Sequence, residues 1–179
     1  MLNIGADLRI LYTIYKYGKE ILHSESFHSE KKYMQHGSIS CYMHSMAVTY
    51  ISVRIAQRFN MNVDMASLVR GALLHDYFLY DWHVKSPNRP LHGYFHAKRA
   101  LKNAIRDFHI NNTEQKIIYS HMFPLNISRI PQCREAAIVC LADKICATLE
   151  TVHRKGNYPL LVQFDQKLPL ISKSDSFLN

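Results

Sequence analysis

A chain of 179 residues with 47% apolar and 20% charged residues is long enough to close one hydrophobic core and has an ordinary globular balance. Its formal charge of +8 favours an anionic partner, but the basic residues are scattered rather than blocked, so specific nucleic-acid binding is not expected. No apolar run of about eighteen residues is present and Asp7 and Arg9 interrupt the start, so neither a membrane span nor a secretory leader is expected and a cytoplasmic location is.

From the N-terminus, Ala6 to His23 carries Leu8, Leu11, Ile14, Tyr15, Ile21 and Leu22 at helical spacing. Ser24 to Gly37 is polar and reads as a turn-and-helix connector. Ser38 to Phe59 predicts a helix capped by a serine, with Cys41, Ala47, Val48, Ile51, Ile55 and Phe59 on its apolar side. Asp64 is the expected cap of a helix over Met65 to His75. Pro87 to Pro90 marks a loop. Helices follow over Tyr94 to Asp107 and, capped by Asn112 or Thr113, over Glu114 to about His121. Pro124 and Pro131 bracket a second loop, and Pro131 to Thr151 reads as a long, strongly apolar helix buried on most sides. From Arg154 the chain holds Gly156, Pro159 and Pro169 and reads as an arm on the body or as partly disordered chain. Strand signals are weak, there is no internal repeat, and the expected class is all-α. Cys41, Cys133, Cys140 and Cys146 form no C-x-x-C pair and read as reduced thiols.

Eleven histidines are the unusual feature of the composition. His75-Asp76 closes a helix whose preceding turn, Gly71-Ala72-Leu73-Leu74, is wholly apolar. Asp143 lies inside Ile138-Val139-Cys140-Leu141-Ala142-Asp143-Lys144-Ile145, and His44 shares the apolar side of its helix with Ala47, Val48 and Ile51. Adjacent helical residues do not face each other, so Lys144 reads as a poor partner for Asp143. Singly, each residue is as well explained as a hydrogen-bonded core group. Together they supply two imidazoles and two carboxylates, a donor set suited to Zn, Mn, Fe, Co or Ni, and a cation compensates buried carboxylates.

The order His44, His75-Asp76, Asp143, with the lead-in Arg70-Gly71-Ala72-Leu73-Leu74, resembles the H…HD…D signature of the HD superfamily of metal-dependent phosphohydrolases. The resemblance covers about Ser38 to Thr151. It implies one helical-bundle domain with a motif-bearing core at about 38–151, a helical extension at 1–37 and a C-terminal arm at 154–179. It implies hydrolysis of a phosphate ester or anhydride in a small phosphorylated molecule such as a nucleotide, with one or two divalent transition-metal ions as cofactor. His96 and His121 fall where two-metal members place further ligands. Asp76 would then bridge, with His44, His75 and Asp143 on one ion and His96 and His121 on the other. Such ions lower the pKa of bound water and polarise a phosphoryl oxygen. Lys144 is the first candidate to meet developing negative charge, ahead of Arg70, Lys98 and Arg99.

The chain departs from the pattern at Leu79, where many HD-type hydrolases carry a lysine or glutamate as acid or base. Asp81 is the nearest ionisable substitute. His36, His83 and His92 are secondary candidates for the pocket; for them, and for His23, His28, His109 and His153, a structural role is the simpler reading. Two rival functions share the ligand set: a di-iron oxygenase, and a degenerate domain that binds a ligand without turnover.

Overall fold

The computed structural model describes residues 4–36, 38–81, 92–153 and 158–175. Its elements in order are α1 (Ile4–Leu22), α2 (Glu25–His28), a 3₁₀ turn (Ser29–Lys32), β1 (Met34–His36), β2 (Ile39–Ser40), α3 (Cys41–Arg58), α4 (Met65–Leu74), α5 (His92–Asp107), α6 (Asn112–Ser120), α7 (Arg134–His153) and α8 (Pro159–Asp175). The protein is all-α apart from the small antiparallel β1–β2 hairpin, in which Met34 pairs with Ser40 and His36 with Ile39 across a bulge.

Local chemistry sets the helix ends. Ser40 caps α3 by accepting from the Met43 amide, and Asp64 caps α4 by accepting from the Ala66 and Ser67 amides. Asn111 and Glu114 form a reciprocal capping box at α6, so the cap is Asn111 rather than the expected Asn112 or Thr113. The two carry the same chemistry, and a box three residues apart fixes which one is used.

Helix α3 packs against α1, α4 and α7; α4 also packs on α6, and α6 on α5 and α7. One apolar core runs through these helices from Ile10 on α1 to Leu168 on α8. Gly71 permits the close approach of α4 to α6: a β-carbon there would lie 2.6 Å from Ile117 Cδ1.

One expectation changes. Helix α7 is not buried on most sides: Leu141, Ile145, Leu149 and Val152 form an exposed stripe, and the core takes the stripe of Ala136, Val139, Asp143, Cys146 and Glu150. An apolar helix can bury only the faces its neighbours cover. The C-terminal tail is helix α8, which inserts Leu161, Phe164 and Leu168 into the core, with Pro159 at its first turn, where no amide donor is needed. The loop expected at Pro87 to Pro90 lies outside the described residues. No helix among the described residues is long and apolar enough to cross a membrane. All four cysteines are free thiols, with Cys41, Cys140 and Cys146 buried.

Candidate metal centre

The six histidines and aspartates expected as ligands come from five helices and meet at one place. His44 projects from α3, His96 from α5 and Asp143 from α7. His75 and His121 are the C-terminal caps of α4 and α6, and Asp76 follows His75. All six are buried. Two helices therefore end at the centre, where their carbonyl ends favour positive charge.

The geometry divides the six into two groups whose donor atoms lie within 4.8 Å of one another: His44, His75 and Asp143, and Asp76, His96 and His121. Asp76 faces both. Its Oδ1 lies 3.2 Å from His96 Nε2 and 3.3 Å from His121 Nε2, while its Oδ2 lies 3.6 Å from His75 Nε2 and 3.8 Å from His44 Nε2. Asp143 Oδ1 lies 3.1 Å from His44 Nε2 and 3.9 Å from His75 Nε2.

The outer partners orient the imidazoles. His75 Nδ1 donates to the Ala72 carbonyl and His121 Nδ1 to the Ile118 carbonyl, each at 2.8 Å. A carbonyl can only accept, so Nδ1 of each ring carries a proton, and Nε2 is the atom turned toward the centre. Both bonds use a carbonyl left open at a helix end. His44 is held by a carboxylate instead: its Nδ1 donates to Glu150 Oε2 at 2.9 Å, and Glu150 Oε1 accepts from the Tyr158 hydroxyl at 2.8 Å.

Burial opposes a charge on His44, but its hydrogen bonds to Asp143 and Glu150 outweigh that and push its pKa up to about 10. Burial takes His75 the other way, down to about 4, against the pull of Asp76. Burial would raise both aspartates. For Asp76 the imidazoles of His75, His121 and His96 reverse that, and for Asp143 those of His44 and His75 with the Lys144 ammonium, holding both carboxyls well below the usual range.

These residues fit a divalent cation in each group. Neither His75 Nε2 nor Asp76 Oδ1 has a hydrogen-bond partner although both are buried, a costly arrangement for groups that serve no ligand. His96 Nε2 and His121 Nε2 converge to 2.9 Å. The mixed imidazole and carboxylate donors suit first-row transition metals.

Lys144 corrects one reading: its Nζ donates to Asp143 Oδ2 at 2.7 Å and to the His121 carbonyl at 2.9 Å. The side chain is long enough to fold back to its helical neighbour, which backbone spacing alone does not convey. It thereby links the two groups. Of the other cations, Arg70 is tied to Glu20, Glu114 and the His109 carbonyl away from the centre, and Lys98 and Arg99 are exposed. Asp81 is half-buried and belongs to neither group of three. Leu79 packs on the core in the left-handed region, at φ 58°, uncommon for a residue with a β-carbon. Asn103 on α5 pins this stretch by donating to the Tyr77 and Phe78 carbonyls. His83 and the side chains of His36, His92 and His153 lie outside the described residues. His23 and His109 are exposed, and His28 is bound to the Leu22 carbonyl.

The sequence reading missed four side chains. Glu150 stands seven residues after Asp143, two turns on along the same face, and that spacing is a signal that could have found it. Tyr158 had no such signal. Gln35, on β1, donates to Asp76 Oδ2 at 2.6 Å and accepts from Cys41 Sγ at 3.4 Å. Glu30, in the 3₁₀ turn, is fully buried with both carboxyl oxygens unpartnered. Both lie in a connector without periodicity.

The bundle and its convergent histidines and aspartates define an all-helical domain with two buried groups of side chains that could each hold a metal ion. A family model, described as HD domain, matches residues 41–148, well over half of the chain, and the chain belongs to that family. Comparison with curated proteins finds no match, and comparison with solved structures finds none.

Proposed function

We propose that this chain is a two-cation phosphohydrolase acting on a phosphate ester or anhydride of a small molecule, such as a nucleotide. The observation that carries the reading is Asp76, whose two oxygens are shared between the two groups of buried ligands. HD-domain proteins are mostly metal-dependent hydrolases, which favours the same reaction class. His44, His75 and Asp143 would hold one cation and His96 and His121 the other, with Asp76 between them. Cations bound there supply hydroxide near neutral pH and polarise a phosphoryl oxygen.

The protein's own residues prepare that chemistry. The Ala72 and Ile118 carbonyls and Glu150 hold three imidazoles in fixed orientation. Gln35 holds Asp76 by donating to its Oδ2, and Lys144 ties Asp143 to the His121 carbonyl. Burial of all six donors excludes bulk water, so each electrostatic contact acts in a low dielectric.

Elemental analysis of purified protein, followed by phosphate release from mono- and dinucleotides with Mn²⁺, Co²⁺, Ni²⁺ and Mg²⁺, tests the reading. Asp76→Ala and Asp143→Ala are expected to lose metal and activity together while remaining folded. Wild-type activity in either variant refutes it, and bound iron with substrate-dependent oxygen uptake in place of phosphate release turns the assignment to an oxygenase.

A further inference from the structure

His44, His75 and His121 are each anchored at Nδ1, but by acceptors of different stiffness. His75 and His121 donate to the Ala72 and Ile118 carbonyls at 2.8 Å, backbone atoms fixed by their own helices. His44 donates instead to Glu150 Oε2 at 2.9 Å, the far end of a flexible side chain. An imidazole ligand is only as well aimed as the partner of its second nitrogen. Glu150 therefore needs an anchor of its own. The Tyr158 hydroxyl supplies it, donating to the other carboxylate oxygen, Oε1, at 2.8 Å.

The position of Tyr158 is set in turn by α8, which it directly precedes. That helix buries Leu161, Phe164 and Leu168 in the core, and its Asp165 accepts from the Tyr42 hydroxyl at 2.6 Å and from Lys31 Nζ at 2.8 Å. On the other side of the His44 ring, Nε2 lies 3.1 Å from Asp143 Oδ1, a carboxylate of its own candidate group. Turning the Glu150 carboxylate would release the ring and let Nε2 swing away from Asp143. His121, in the second group, is held by backbone and does not hang on this chain of contacts.

We propose that Tyr158 is a positioning residue for one of the two cations: through Glu150 it aims His44, so the seating of α8 sets how tightly His44, His75 and Asp143 hold their ion. The group of Asp76, His96 and His121 keeps its affinity whether or not the hydroxyl is present. This role rests on the two-cation part of the reading above and on none of its phosphate chemistry.

The test is Mn²⁺ titration calorimetry of the wild-type chain, Tyr158→Phe and Tyr42→Phe. Each substitution removes one phenol that ties the C-terminal segment to the bundle through a carboxylate, but Asp165, unlike Glu150, holds no candidate ligand. In Tyr158→Phe one of the two Mn²⁺ sites should weaken by about 10-fold or more, within the range of roughly 10–100-fold that loss of an outer partner costs. It should be the site that His75→Ala abolishes, and excess Mn²⁺ should refill it. The other site should keep its wild-type affinity. Tyr42→Phe should leave both sites unchanged although its urea midpoint falls about as far. Wild-type affinity at both sites of Tyr158→Phe, a similar loss at both, or a similar loss in Tyr42→Phe overturns the proposal. If the selective loss is seen but no phosphate is released by the wild type, the phosphohydrolase reading fails while Tyr158 keeps its role. A wild-type chain that binds fewer than two cations overturns both.

Discussion

His44 offers the sharpest quantitative test of the centre. Each ring nitrogen faces a carboxylate, Nδ1 at 2.9 Å from Glu150 and Nε2 at 3.1 Å from Asp143, so the ring satisfies both only as an imidazolium. Its pKa is accordingly raised to about 10. A cation that takes Nε2 must displace that proton, and at pH 7 the displacement costs about 4 kcal/mol of binding free energy. His75, lowered to about 4, is already neutral there, and Asp76 and Asp143 are already ionised, so none of these three has a proton to lose. The sign follows: as pH rises toward 10 the proton leaves more easily, and Mn²⁺ affinity should increase about tenfold per unit between pH 6.5 and 8.5. Before the cation binds, the same raised pKa stabilises the fold fully below about 6.5, and that contribution fades as pH rises through about 10. Titration calorimetry of Mn²⁺ at pH 7, repeated in buffers of different ionisation enthalpy, counts the protons released. Binding with no proton release at pH 7, and an affinity flat across that range, would refute the argument that both carboxylates hold a charged His44.

Stability measurements by urea denaturation at four positions test the frame around the centre. Glu150→Ala leaves His44 Nδ1 and the Tyr158 hydroxyl without their partner in a fully buried place and should cost about 3–5 kcal/mol, with Glu150→Gln much milder; equal costs would show that charge and acceptor at this position do not matter. Gly71→Ala sets a β-carbon 2.6 Å from Ile117 Cδ1 and 3.0 Å from Ile117 Cβ, next to a backbone that cannot yield, so a loss of about 1–3 kcal/mol is expected. Gly18→Ala meets only the tip of the Leu73 side chain, Cδ1 at 2.7 Å, and gains helix propensity, so it should lie within about 1 kcal/mol of wild type; the reverse order would contradict the packing described. Phe164→Ala on α8 should cost about 3–5 kcal/mol, and a loss under about 1 kcal/mol would mean that the C-terminal helix is an appendage rather than part of the core.

The part of the site that was legible in the sequence lies on regular helices. The 3.6-residue period fixes which positions share a face, so the apolar partners of His44 and the apolar turn before His75-Asp76 pointed those side chains inward. Helix boundaries were read to within a few residues because Asp64 and the serine before α3 act locally as caps. What periodicity could not show was coverage. The apolar stripe of Leu141, Ile145 and Leu149 looks like a core face until the positions of the neighbouring helices leave it exposed. The tail was equally ambiguous, because Pro159 signals a break in the middle of a chain and a permitted first turn at the start of a helix.

The family match supplies a boundary that sharpens this point. It spans residues 41–148, and all six candidate ligands fall inside it. Side chains that brace the ligands fall outside: Gln35 before it, Glu150 and Tyr158 after it. Ligand positions are set by packing among the central helices, which the motif reflects. The outer partners arrive on the β1 connector, on the last turns of α7 and just before α8, through long-range contacts such as Gln35 to Asp76 and Glu150 to His44. The candidate ligands thus belong to the shared bundle, whereas several of the groups that hold them in place come from the segments that flank it. Exchanging Asp76, which faces both groups of ligands, should therefore remove bound metal and phosphate release together.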